Sequence, residues 1–353
     1  MSDLAGTIVA ELPRRYDMGE SCAPPERVWG GLQHRMYRLR TVRGSFAVKR
    51  LNPVVMGYEN VRANFRFGEW VASAVLGEGI PAVPALRAFD GDILQDIAGD
   101  TVMVFPWMDA APALPPGVVD AERAGVIGGI LGRIHTLSLR SPDQLPPSGA
   151  DEPASGADTE VTDAAEWARL LDLAERARLP VTSELRALLP QIAAWLRGAR
   201  EARQSPLASG GRATWVISHR DLDPKNVLWA NAHTPYLIDW EAAGYVQPAG
   251  EAVGAALDWS GQGASDAGVV AFGAFLDGYR QQAPLTPREI RVELATYCGG
   301  YCGWVKYNLA RAIGTAPGDA EERDLGAREV ATTLTMLRSA AVTLPALARQ
   351  FPA

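Results

Sequence analysis

Three polar side chains near the middle of the chain stand in an order that suits one kind of chemistry. Asp221 and Asn226 lie five positions apart in Ile217-Ser218-His219-Arg220-Asp221-Leu222-Asp223-Pro224-Lys225-Asn226-Val227-Leu228. Asp239 follows thirteen residues after Asn226, in Ile238-Asp239-Trp240-Glu241. Phosphoryl transfer needs such a set: one carboxylate to position an attacking hydroxyl and accept its proton, and a carboxamide and a second carboxylate to hold Mg²⁺ against phosphate oxygens. Asp221 takes the first role, and Asn226 and Asp239 the second. The short spacing lets Asp221 and Asn226 enter one site from one loop. Asp239 reaches it from the end of an expected strand over Pro235–Ile238. Without that chemistry, the same residues read as an Asx-rich loop between two strands.

His219-Arg220-Asp221-Leu222, with Asn226 and then Asp239, resembles the catalytic and metal-binding segments shared by protein kinases and by the aminoglycoside phosphotransferase and choline kinase families. The resemblance spans residues 28–260. It implies an α+β, bilobal, protein-kinase-like fold: a small N-terminal lobe with a five-stranded antiparallel sheet and one helix, then a larger, mainly helical lobe. It also implies ATP and Mg²⁺ as cofactors. Four more segments join it. In Ser45-Phe46-Ala47-Val48-Lys49-Arg50, Lys49 matches the lysine that holds the α- and β-phosphates. Glu69, in the next helix, matches the acid that pairs with that lysine, with Glu59 as the alternative. Trp29-Gly30-Gly31-Leu32-Gln33-His34 resembles the hairpin over the nucleotide phosphates, with Gly31 admitting close backbone approach. Met103-Val104-Phe105-Pro106-Trp107-Met108-Asp109 resembles the linker that holds adenine. There the Pro106 carbonyl is the acceptor, Met108 supplies the N–H, and Phe105 lines the pocket.

These residues need strands and helices to hold them. Short β-type runs occur at Met36–Leu39 and Phe46–Val48 with a turn at Val42-Arg43-Gly44, and again at Asp92–Gln95 and Thr101–Phe105. Apolar spacing through Phe65, Phe67, Val71 and Val75 predicts a helix over 60–76, ended by Gly77 and Gly79. Helices are expected at 122–139, 163–178 and 183–202, and through most of the chain from Gly268. Ser141–Thr162, rich in Pro, Ser, Gly and Asp, reads as a loop. The division falls at 108: residues 1–108 form the nucleotide-binding lobe and 109–353 the catalytic and acceptor-binding lobe.

Composition sets outer limits. The chain has 353 residues, long enough for two lobes, with 47% hydrophobic and 21% charged residues. Net charge is −7, which argues against nucleic acid as a partner. Three cysteines form no disulfide framework, and Cys298 and Cys302 read as buried apolar residues rather than a zinc pair. The N-terminal residues do not read as a signal peptide, and the apolar run at Gly125–Leu131 is too short to span a bilayer. The expectation is a cytoplasmic protein, monomer or homodimer, away from membranes.

Against a protein kinase, Asp239 is followed by Trp240-Glu241 instead of Phe-Gly, and no room remains for an activation loop. Against an inactive binding module, all five central polar residues are present. Lys225 is either solvated or in touch with the terminal phosphate. Glu251 stands where the family often has an Asp at a helix start, and His135 belongs to a helix packed behind the catalytic loop. The acceptor is expected to be a hydroxylated, cationic small molecule. An antibiotic leads, and choline or an amino-alcohol is the alternative. Glu241 and Asp258, with Trp240, Tyr297, Tyr301 and Trp304, form the expected acceptor wall.

Overall fold

The computed structural model describes residues 4, 6–28, 33–111, 114, 118–140, 164–204, 215–316 and 318–352. They group into two compact units. One contains the described residues up to Leu114 together with Lys225–Ala243, and the other the rest.

The first unit is built on a five-stranded antiparallel sheet of order β1-β2-β3-β5-β4: β1 Glu26–Val28, β2 Arg35–Thr41, β3 Gly44–Arg50, β4 Gln95–Ile97 and β5 Asp100–Pro106. Thr41 pairs with Gly44 across a tight β2–β3 hairpin. Strand alternation sorts β3: Val48 packs with Tyr37, Leu39, Val102 and Val104 on one face, under an unforeseen helix α1 (Gly6–Arg15) that contributes Ile8 and Leu12. Lys49 points to the other face, its ammonium 5.9 Å from the Phe65 ring on the main helix, α3 (Val61–Gly77). A short helix, α2 (Pro53–Met56), precedes it, capped by the Asn52 side chain. The strand expected at 92–95 begins only at Gln95. The Asp92 carboxylate accepts the N–H groups of Ile93 and Leu94, and this local turn prevails over strand pairing.

Lys225–Ala243 joins this unit through backbone ladders. β7 (Val227–Trp229) pairs with β8 (Pro235–Leu237). The Pro-rich exit of α3 then binds β8: Val83 N–H donates to Leu237 C=O at 2.9 Å, and Leu237 N–H to Pro81 C=O at 2.8 Å. α3 also presses on the turn after Asp239. A Cβ on Gly68 would lie 2.2 Å from the Trp240 carbonyl oxygen, so only glycine permits that approach.

The second unit is mainly helical: α4 Ala121–Thr136, α5 Ala164–Arg176, α6 Thr182–Gln204, α7 Pro248–Trp259, α8 Asp266–Arg280, α9 Pro287–Ile313 and α10 Ala320–Ala348. It also holds a small ladder of β6 (Val216–Ser218) with β9 (Gly244–Val246), the second of which sequence patterning missed. α4 and α8 meet backbone to backbone: a Cβ on Gly128 would be 2.0 Å from the Phe275 carbonyl oxygen, and one on Gly278 2.2 Å from that of Gly125. α10 is long and apolar enough to cross a membrane by length and composition, but Val330, Leu334, Leu337 and Leu344 are buried within the unit. Cys298 and Cys302 are buried in α9, and burial pushes both thiols up to about 12, as suits apolar packing. The 141–162 loop lies outside the described residues.

Candidate active site

In the first unit the functional side chains collect around one ammonium. Lys49 is buried, and its Nζ lies 2.6 Å from Asp239 Oδ1 and 2.5 Å from Glu241 Oε2. Burial works against the Lys49 charge, but the two carboxylates outweigh it and raise its pKa. Glu241 shows the converse. Burial disfavours its charge, yet Lys49 and His34 hold it well below the usual carboxylate range. His34 is buried against Phe65. Its Nδ1 accepts the Asn52 N–H at 3.0 Å, so the ring proton sits on Nε2. Nε2 faces the Glu241 carboxylate at 3.2 Å, an ion–dipole approach without the alignment of a full hydrogen bond.

Two expectations change here. Glu69 was expected to pair with Lys49. It lies buried on the same helix face, but its Oε2 accepts the Ala85 N–H at 2.5 Å, and the Lys49 ammonium is occupied by Asp239 and Glu241. Burial pushes the Glu69 carboxyl up to about 7. The Ala85 N–H and the Lys49 charge pull it back, and the Asp239 and Glu241 charges raise it further. Glu241 was expected in the acceptor wall. It sits instead on Lys49, because the tight turn after Asp239 brings it back over β3.

Asp239 takes left-handed backbone angles, φ 66° and ψ 61°, a strained conformation that aspartate tolerates better than most residues. Asn226 is buried at the end of a 3₁₀ turn leading into β7, and its carbonyl accepts the Ile238 N–H at 3.0 Å. The β7–β8 ladder thus brings Asn226 beside the start of the Asp239 turn. A carboxamide and a carboxylate offer hard oxygen donors that fit Mg²⁺, which takes its remaining ligands from water and phosphate.

The expected adenine linker leaves the sheet at the end of β5. Phe105 packs beside Leu51, Phe65 and Met103, and Pro106 is the last residue of the strand. The Trp107 N–H returns to the Ser45 carbonyl at 3.3 Å, and the Met108 carbonyl accepts from Ala110 at 3.0 Å. The Met108 N–H has no backbone partner among the described residues. Gly31 lies outside the described residues.

In the second unit Asp221 follows β6. The chain turns at Arg220 with φ 67°, and Glu251 anchors the turn, its Oε1 accepting the Arg220 N–H at 2.6 Å. Glu251 Oε2 is 2.9 Å from His135 Nε2, and His135 Nδ1 is 2.8 Å from the Tyr279 hydroxyl. A carboxylate can only accept, so Nε2 carries the proton and the tyrosine donates to Nδ1. Burial disfavours the Glu251 charge, but these donors win and lower its pKa. The close α4–α8 packing is what brings His135 to Tyr279. Leu222 is tied down by the Trp259 indole N–H at 3.0 Å. One residue earlier on α7, Asp258 Oδ1 accepts hydrogen bonds from the Tyr297 and Tyr301 hydroxyls, each at 3.0 Å. Burial, with the Asp258 charge, raises both phenol pKa values well above normal.

The pairing of Lys49 with Glu241, which His34 faces in turn, was missed by sequence reasoning. The available signal was the acid two residues after Asp239. The glycine next to Glu69 inside a helix was a second signal, since such a glycine marks a close backbone approach.

A family model, the phosphotransferase enzyme family, matches residues 25–288. No curated protein matches the chain. Among solved structures, spectinomycin phosphotransferase APH(9)-Ia in complex with ADP and spectinomycin is similar, with a TM-score of 0.66, 13% identity, and 97% of this chain and 99% of that one covered. Amicoumacin kinase hAmiN with AMP-PNP and Ca²⁺ gives 0.59 at 13% identity, covering 92% and 96%. A choline/ethanolamine kinase family protein from Mesorhizobium loti gives 0.55 at 17% identity, covering 97% and 98%. These likenesses bear out the protein-kinase-like fold.

Proposed function

The chain belongs to the phosphotransferase enzyme family, and from that premise we propose that it moves the γ-phosphate of ATP to a hydroxyl of a cationic small molecule, most consistent with an antibiotic inactivated by O-phosphorylation. The observation that carries the reading is the buried Lys49 bound to Asp239 at 2.6 Å, with Asn226 held at the start of the same turn. A phosphate-binding ammonium and two hard oxygen donors thereby converge within one unit.

Asp221 accepts the hydroxyl proton as the new O–P bond forms and the β,γ-bridging bond breaks, leaving ADP. Lys49 binds the non-transferred phosphates. Pro106 and Met108 hold adenine through backbone groups. Asn226 and Asp239 hold Mg²⁺, which when bound neutralises charge on the phosphate oxygens. Asp258, flanked by two phenols, is the carboxylate placed to recognise an ammonium group on the acceptor.

The test is a screen of hydroxylated antibiotics and amino-alcohols for ADP release and a phosphorylated product. Turnover with a bulky cationic antibiotic is the expected result. A best substrate of choline or amino-alcohol type would move the reading to a metabolite kinase, and a small anionic best substrate would defeat the cationic assignment.

A further inference from the structure

We propose that Arg38 is a base-recognition residue for the nucleotide, its guanidinium stacking on the purine of ATP beside Trp107. The inference rests on the phosphotransferase reading and deepens its nucleotide site.

The sheet of the first unit places Arg38 by register. Arg38 on β2 is opposite Ala47 on β3, and Ala47 is opposite Phe105 on β5, so the three form one rung. The rung of Met36, Lys49 and Met103 lies two residues away on each strand. Side chains two apart on a strand share a face, so Arg38 stands on the face that carries Lys49, about 7 Å along the strands. The step from Lys49 to Arg38 runs toward the Pro106 end of β5, where the expected adenine linker leaves the sheet. The opposite face is apolar core. Tyr37 and Leu39, the neighbours of Arg38, are buried there with Val48, whereas Arg38, Ala47 and Phe105 are only half-buried.

The charge on that rung lacks an acid. Arg40, two residues along the same strand face, is paired with Glu26. Arg38 has no carboxylate partner among the described residues. Its Nη2 donates to the Ser45 hydroxyl at a long 3.3 Å, and its Nε is buried without a partner. Its Cζ lies over the Trp107 ring, 4.5 Å from the centroid. Trp107 is tied to β3 in turn, through its N–H to the Ser45 carbonyl. An arginine kept for solubility would extend into water. This one is held on the ring of the residue between Pro106 and Met108, the two residues assigned to adenine. A planar guanidinium over one aromatic ring keeps a second face for another, and it stacks where an ammonium does not. The purine is the flat, electron-rich part of ATP that suits such a face, while the phosphates belong to the Lys49 rung.

The experiment measures dissociation constants by calorimetry on the full chain for two probes, MgATP and magnesium tripolyphosphate, which has neither base nor sugar. A thermal melt of each variant accompanies it. Arg38→Met keeps an unbranched apolar stem and removes the guanidinium. It is expected to raise the MgATP Kd about fivefold or more, and the tripolyphosphate Kd less than about twofold. Arg38→Lys keeps the charge without the plane and should stay at least about threefold weaker than the parent for MgATP. MgATP binding at parental strength in Arg38→Met overturns the proposal. So does a loss of equal size for both probes, which would place Arg38 on the phosphates or in the fold. If Arg38→Met fails to fold, parental MgATP affinity in Arg38→Lys overturns it. If the parent binds MgATP but not tripolyphosphate, the two MgATP comparisons decide by the same limits. A parent that binds no MgATP overturns the proposal and the phosphotransferase reading together.

Discussion

At the scale of single residues, type and spacing single out candidate side chains, whereas the pairing between them was not readable. Asp221, Asn226, Lys49 and Asp239 stand out because apolar runs isolate them. Which acid meets Lys49 depends on a turn geometry that no periodicity encodes. Glu69 illustrates the difference and carries its own consequence. Its folded pKa, about 7, lies above its ordinary value, so ionising it opposes folding. That penalty is absent below the unfolded pKa, grows as pH rises between the two values, and is constant above about 7. Glu69→Gln removes it. The melting temperature of Glu69→Gln relative to the parent should therefore rise between about pH 4.5 and about pH 7 and then level off. Calorimetric scans across that range check it, and a difference that shrinks with pH would refute it.

Asp258 belongs to the same scale. Its Oδ1 accepts hydrogen bonds from two phenols, so Asp258→Asn keeps the packing while removing the charge. If the acceptor is cationic, its KM should rise at least about tenfold while the ATP KM changes less than about twofold. Steady-state kinetics with each substrate varied in turn separates the two, and a parallel rise in both would remove Asp258 from acceptor recognition.

Among secondary-structure elements, those with strong local signals were legible and those defined by distant partners were not. The α3 stripe, the β2–β3 hairpin and β5 follow from apolar spacing, a two-residue turn and β-branched content. α1 was missed because its apolar residues, Ile8 and Leu12, make sense only against the sheet they cover. β9 is three residues long and exists through β6. β4 starts late because the Asp92 side chain satisfies the two N–H groups ahead of it. The contact of α3 with the Trp240 turn is the element-scale link between the helix and the site. Gly68→Ala forces a methyl to within 2.2 Å of a carbonyl oxygen, so helix or turn must shift. Loss of about 1–3 kcal/mol of stability is expected, as for an overpacked core. A weaker MgATP affinity should accompany it, because the same turn carries Asp239 and Glu241. Denaturant melts and nucleotide titration measure the two effects. A stable variant with unchanged affinity would show that the turn yields freely.

For the molecule as a whole, the candidate residues divide between the units. The first carries Lys49, Asn226, Asp239 and the segment after β5, and the second carries Asp221 after a turn anchored by Glu251, itself paired with His135. The motif running from Asp221 to Asn226 passes from one unit to the other within six residues. Sequence made that motif conspicuous, yet the identity of the acceptor is not written in it. The most direct measurement of the central claim is turnover and MgATP binding in Asp221→Ala, using the best acceptor from the screen. Acceptor-dependent ADP release matched by phosphorylated product should fall about 10²–10⁴-fold, with MgATP affinity nearly unchanged. Full turnover in Asp221→Ala would contradict the account.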